Sequence, residues 1–158
     1  MDVAALQSAY DRFIDAARDL GGTSAPEGEW APELVLAHVI VTDRMIAATA
    51  AQVLACGEAR FDSRATQSVP YLEAVTTVAG SWDGLLAEVR RAADELMAVA
   101  ARIEPEHARV MIPSYVVDHG HAVIDGPAPL EQLVMVPAMI HLSGHAEQLK
   151  SYASSPAR

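Results

Sequence analysis

The sequence is poor in cysteine, lysine and aromatic side chains, and each shortage excludes something. Its one cysteine, Cys56, has no partner for an internal bridge, which excludes the disulfide framework of a small secreted protein and suits a reducing cytoplasm. A lone thiol of this kind is expected in the core. A single Lys stands beside ten Arg, and 11 cations face 21 acids, for a formal charge of −10 and a pI near 4.9. That balance excludes a phosphate-tracking nucleic-acid surface and disfavours acidic membranes, because Lys and Arg supply most of the affinity for both. Only two Phe and two Trp occur, with Ala the commonest residue, which favours close helix packing over a strand-rich sandwich. Long apolar runs are also missing. The longest, around residues 133–142, is roughly half the ~20 residues that a membrane span needs. The start, MDVAALQSAYDRF, carries an acid where a signal peptide has a basic residue and then an apolar run. At 158 residues and 51% hydrophobic, the chain is expected to form one cytoplasmic domain over residues 1–158, with a core large enough to need neither disulfides nor a structural metal.

What is present is mostly helical periodicity. Leu6, Tyr10, Phe13, Ala17 and Leu20 recur at steps of four and three and share one stripe, which Gly21-Gly22 ends. After the loop TSAPEGEW, the stretch from Pro32 to Cys56 reads as a second helix, with Pro in its first turn and Gly57 as its C-terminal cap. Residues 58–69 read as a loop, and Pro70 opens a short helical stretch that Gly80 interrupts. Trp82, Leu86, Val89, Ala93, Leu96, Ala100 and Ile103 form the stripe of a third long helix. Between Pro105 and Pro129, VMIPSYVV and AVID place β-branched residues on both sides of a Gly-containing turn, predicting a small hairpin or extended loop. The last helix starts near Pro129 and is apolar on most faces in its middle. The expected fold is therefore all-α, a four-helix bundle with that small hairpin or extended loop before the last helix.

Three histidines carry the chemistry. His141 and His145 are four apart on the last helix, so both imidazoles share one face about a turn apart. They continue the stripe of Leu130, Val134 and Ala138, which must face the interior. His38 follows Leu34 by four and precedes Val41 by three, again on an inward stripe. Buried imidazoles without partners cost roughly 1–3 kcal/mol each, so the three are expected either to bond core carbonyls or to converge on one ion. Neutral imidazoles suit Zn, Ni, Fe or Cu, and three protein ligands leave a position open for water or substrate.

The stretch EWAPELVLAHV, followed about a hundred residues later by IHLSGHAEQL, resembles the DinB-like family, which includes thiol-dependent S-transferases and the metal-binding domain of mycothiol-dependent maleylpyruvate isomerase. The resemblance spans nearly the whole chain through short, degenerate motifs. It implies a DinB-like four-helix bundle whose divalent metal, Zn first and Ni as another, is held by His38, His141 and His145. It also implies a low-molecular-weight thiol as cosubstrate. The three-His set is closer to the DinB and bacillithiol-transferase branch than to the isomerase, whose first ligand on the last helix is a Glu, and the isomerase's appended C-terminal domain is absent from this sequence. Pro137, four residues before His141, departs from the pattern and is expected to disturb the helix beside the ligands. An Ala- and Arg-rich composition leans towards mycothiol over bacillithiol.

Such a metal would lower the pKa of a bound thiol, so that the nucleophilic thiolate exists at neutral pH, or that of a bound water for hydrolysis. Three readings thus stay open: a thiol-dependent transferase or isomerase, a bundle that binds metal or a small ligand without catalysis, and a metal-dependent hydrolase. No residue stands out as a general base. Asp43 and Glu147 are acceptors for an imidazole N–H or, more commonly for such residues, solvated helix charges. His119 and His121 sit in the Gly-containing turn and read as exposed loop residues, with a metal pair as the alternative, and His107 reads as surface. Trp30 and Trp82 read as core or helix-start aromatics, with pocket lining as the alternative. Residues 108–125 are placed to roof the mouth of the bundle. The expected partners are a small-molecule substrate or thiol and, by the family resemblance, a second copy of the chain.

Overall fold

The structure is a computed structural model and describes residues 1–118 and 120–153. Four helical rods form its body: α1 (Val3–Ala17), α2 (Pro32–Cys56), α4 (Trp82–Ala100), and a last rod made of α6 (Leu130–Val136), a π-helical turn (Pro137–His141) and α7 (Leu142–Ala153). The shorter α3 (Val69–Ala79) and α5 (Pro105–Ala108) connect them.

Local signals explain where the rods begin and end. The Asp2 carboxylate accepts from the Ala5 N–H at 2.9 Å and caps α1, while the Ser81 hydroxyl accepts from the Gly84 N–H and caps α4. Pro32 occupies the first turn of α2, and Gly57, at φ +78°, closes it in the left-handed conformation that glycine adopts without cost. Each rod buries the stripe that its spacing marks. Leu6, Tyr10, Phe13 and Ala17 of α1 meet Val89, Ala93 and Leu96 of α4, all within one core cluster. Every fully buried Leu, Ile or Phe there contributes roughly 1.5–3 kcal/mol by leaving water. Trp82 ties the end of α1 to the start of α4: its indole N–H donates to the Ala17 carbonyl at 3.2 Å, and its ring occupies the space that a side chain at Gly21 would need.

The all-α expectation is overturned by a three-stranded sheet, and the fold is mixed α/β. β1 (Phe61–Asp62), β2 (Met111–Asp118) and β3 (His121–Pro129) lie in that order. β1 pairs parallel to β2, with Phe61 beside Ser114, and β2 pairs antiparallel to β3, from Met111 beside Pro129 to Asp118 beside His121, with a bulge at Val116/Val117. The β-branched run in β2 accounts for the hairpin. β1 escapes sequence reading because two residues carry no period, and the strand exists only through a partner about fifty residues away. α2, not residues 133–142, is the helix that by length and apolarity suffices to cross a membrane; 72% of that window is buried inside the protein, where it serves as the central core helix. Cys56 is likewise corrected. It lies exposed at the last turn of α2, its thiol donating to the Gln52 carbonyl.

Candidate metal centre

Pro137 reshapes the last rod before the ligands begin. It has no N–H to give to the preceding turn, and the Leu142 N–H reaches back five residues to the Pro137 carbonyl, the π-helical bond. The wider turn sends Met139 and Ile140 outwards, at 63% and 67% exposed. His141 ends that turn and His145 follows in regular helix, and their rings are still neighbours, with centroids 4.6 Å apart.

His38 comes to meet them from α2. Its ring lies 5.0 Å from that of His141 and 4.9 Å from that of His145, and one nitrogen from each of the three falls within 4.8 Å of the others. The proton positions follow from the partners. His38 Nδ1 sits 2.8 Å from the Thr66 carbonyl oxygen, which can only accept, so Nδ1 carries the hydrogen and the neutral ring's Nε2 can only accept. His145 Nδ1 sits 2.8 Å from Gln148 Oε1. The Gln148 amide is oriented by donating its N–H bonds to Glu29 and to the Tyr152 hydroxyl. His38 Nε2 faces His141 Nε2 at 2.9 Å, and His141 Nδ1 is buried with no hydrogen-bond partner.

Burial, and then the neighbouring His145, lower the pKa of His38 to about 4. Burial and the other two rings hold His141 well below the usual histidine range. At neutral pH both rings are uncharged, the form in which imidazole binds metal. Three neighbouring imidazoles, with Nδ1 of His38 and of His145 tied to acceptors, could hold a metal ion.

The cluster opens into a cavity of about 930 Å³. Its walls come from the segment before α2, α2 itself, the last rod, the 3-10 helix after β1 (Ser63–Gln67) and the hairpin β2–β3, whose Val116, Val117, Val123 and Ile124 line it. The segment expected to roof the bundle does so. Trp30 lines the cavity, with its ring 5.4 Å from that of His38, whereas Trp82 serves the helix junction.

The other residues weighed for a role fall out differently from one another. Asp43 is neither an acceptor for a ligand imidazole nor a solvated charge: it is 0% exposed and faces Tyr10, and neither side chain makes a hydrogen bond of ordinary geometry. Burial raises its pKa to about 8 and pushes that of the Tyr10 hydroxyl upwards. Glu147 is a solvated charge, 75% exposed and paired with Lys150. His107 is half-buried in α5 and His121 is exposed at the start of β3, and neither belongs to the cluster. His119 lies outside the described residues.

Sequence reasoning missed Gln148 and Thr66. The first was open to detection, since it lies three residues after His145 on the same helix face. The second acts through its backbone carbonyl, which no residue type announces. Compared with known proteins, the chain matches no family model, no curated protein and no solved structure.

Proposed function

We propose that this protein is a metal-dependent catalyst in which His38, His141 and His145 hold a divalent ion, Zn foremost, that activates a low-molecular-weight thiol for transfer or isomerisation of a small substrate. The observation that carries the reading is the pair of anchored imidazoles. With Nδ1 of His38 given to Thr66 and Nδ1 of His145 given to Gln148, two rings 4.9 Å apart are held in place beside a large cavity, within reach of one ion. Histidines serving only the core have no need of a cavity. When bound, the ion supplies Lewis acidity and lowers the pKa of a thiol on its open position. The chain's own contribution is orientation and exclusion of water. α2, the π-helical turn and α7 fix the rings, Gln148 holds His145, Trp30 stands against His38, and the hairpin covers the space where the second reactant lies. The short motifs around His38 and His141–His145 that resemble the DinB-like family support the thiol chemistry, and mycothiol is the expected cosubstrate.

The test is turnover by the Zn-loaded protein with an electrophilic aromatic substrate, with and without mycothiol and bacillithiol. Product formation that needs both metal and thiol supports the reading. Ester hydrolysis that needs metal but no thiol replaces it with a hydrolase, and tight metal binding without any turnover replaces it with a binding module.

A further inference from the structure

A neutral imidazole carries its hydrogen on either ring nitrogen, so a histidine is a defined ligand only when something decides which one. His145 passes that choice to Gln148, whose Oε1 lies 2.8 Å from its Nδ1. The contact alone does not make the choice, because a carboxamide turned end for end offers a donor in place of an acceptor. The other end of the amide meets the Tyr152 hydroxyl at 2.9 Å, and a hydroxyl also serves in either sense. Imidazole, amide and phenol can therefore reverse together. The remaining contact breaks the tie: Gln148 Nε2 donates to Glu29 Oε2 at 3.2 Å, and an ionised carboxylate only accepts. With Nε2 committed to Glu29, Oε1 must face His145, and the ring must carry its hydrogen on Nδ1.

The backbone presents Glu29 for this, although its side chain is exposed. The Glu29 N–H donates to the Pro26 carbonyl at 3.1 Å and closes a turn whose third residue, Gly28, stands at φ +87°, in the left-handed region that glycine enters without cost. Trp30 follows directly, with its ring against that of His38, and Pro32 then starts α2. Two consecutive residues of one loop thus act on ligand histidines from two different helices. Burial, and then the charge of the neighbouring Glu29, raise the pKa of the Tyr152 hydroxyl, which stays protonated beside the amide.

We propose that Glu29 is a positioning residue for the centre: acting through Gln148, it sets His145 to the Nδ1–H tautomer and so makes Nε2 the accepting nitrogen of that ring. The proposal rests on the three-histidine reading of the site and adds to it a residue from the loop before α2, two hydrogen bonds away from the ring it controls.

The test reads the tautomer in metal-free protein, by long-range proton–nitrogen correlation spectra of the imidazoles at pH 8, with His145→Ala identifying the signal. Zn affinity is then measured by chelator competition. Wild type should show the Nδ1–H tautomer alone at His145. Glu29→Gln nearly keeps the shape of the side chain but offers a donor as well as an acceptor. It should populate the Nε2–H tautomer and weaken Zn binding by about tenfold, the size of effect expected when the hydrogen bonding behind a ligand is disturbed. Glu29→Gln combined with Gln148→Glu puts an acceptor-only group directly on His145, and should restore both the single tautomer and the affinity, which a merely steric role would not do. A His145 that stays wholly Nδ1–H in Glu29→Gln overturns the proposal, as does a Zn affinity in that variant equal to that of wild type, or a double variant that recovers neither property. If the tautomer responds as expected while no form of the protein takes up Zn, the control of His145 by Glu29 stands and the metal reading alone fails.

Discussion

Replacing Asp43 with Asn should change how stability depends on pH more than any other single substitution in the core. Asp43 is completely buried on α2, and burial moves its pKa from 3.8 to about 8. Between those values the folded protein keeps a proton that the unfolded chain has released, so stability falls as pH rises. The contribution is fully present below about pH 4, declines by about 1.4 kcal/mol for each pH unit, and is gone above about pH 8. The whole span corresponds to at most about 5–6 kcal/mol, comparable to the entire stability of a small domain. Asn occupies nearly the same volume and does not titrate. Urea denaturation followed by circular dichroism at pH 5, 6.5 and 8, at constant ionic strength, should therefore show a small difference between Asp43→Asn and wild type at pH 5. The advantage of the variant should grow to several kcal/mol at pH 8. Curves that stay parallel across this range would refute the reasoning, because they would mean that the Asp43 carboxyl ionises alike in the folded and unfolded states.

Other substitutions separate the roles of neighbouring residues. Gln148→Ala removes the acceptor that holds His145 and should weaken Zn affinity by about 10–100-fold in chelator competition, with the fold intact by circular dichroism. Gly144→Ala should raise the melting temperature by about 2–4 °C, since helix propensity improves by up to about 1 kcal/mol and the new methyl meets nothing. Differential scanning calorimetry reads that change, and a lowered melting temperature would show that glycine is needed there for packing. Leu96→Ala, at a fully buried position, should cost about 2–5 kcal/mol in urea denaturation.

The histidine cluster was legible because its signal is local. A spacing of four on an apolar helix, and a third histidine on another inward stripe, already place three rings indoors. The long helices and their ends were legible for the same reason, from Pro32, Gly57 and the stripes of α1 and α4. What escaped depends on contacts distant in sequence. β1 is two residues paired across fifty others, and with the β2–β3 hairpin it completes the three-stranded sheet that overturns the all-α expectation. Asp43 escaped because a carboxylate on a helix is ordinarily solvated, and nothing in its neighbourhood announces that Tyr10 of α1 will cover it. Cys56 erred in the other direction: the final turn of α2 runs past the core. The π turn at Pro137 was foreseen as a disturbance, but its effect of splaying Ile140 outwards while His141 and His145 stay together needs the backbone itself.

The most direct measurement is elemental analysis of untagged protein, as purified and after loading with Zn, Ni or Mn, for wild type, His38→Ala and His145→Ala. A three-histidine centre predicts about one equivalent of metal in wild type and its loss in both variants. Wild type that takes up no metal under any loading condition, or variants that retain the full equivalent, would contradict it.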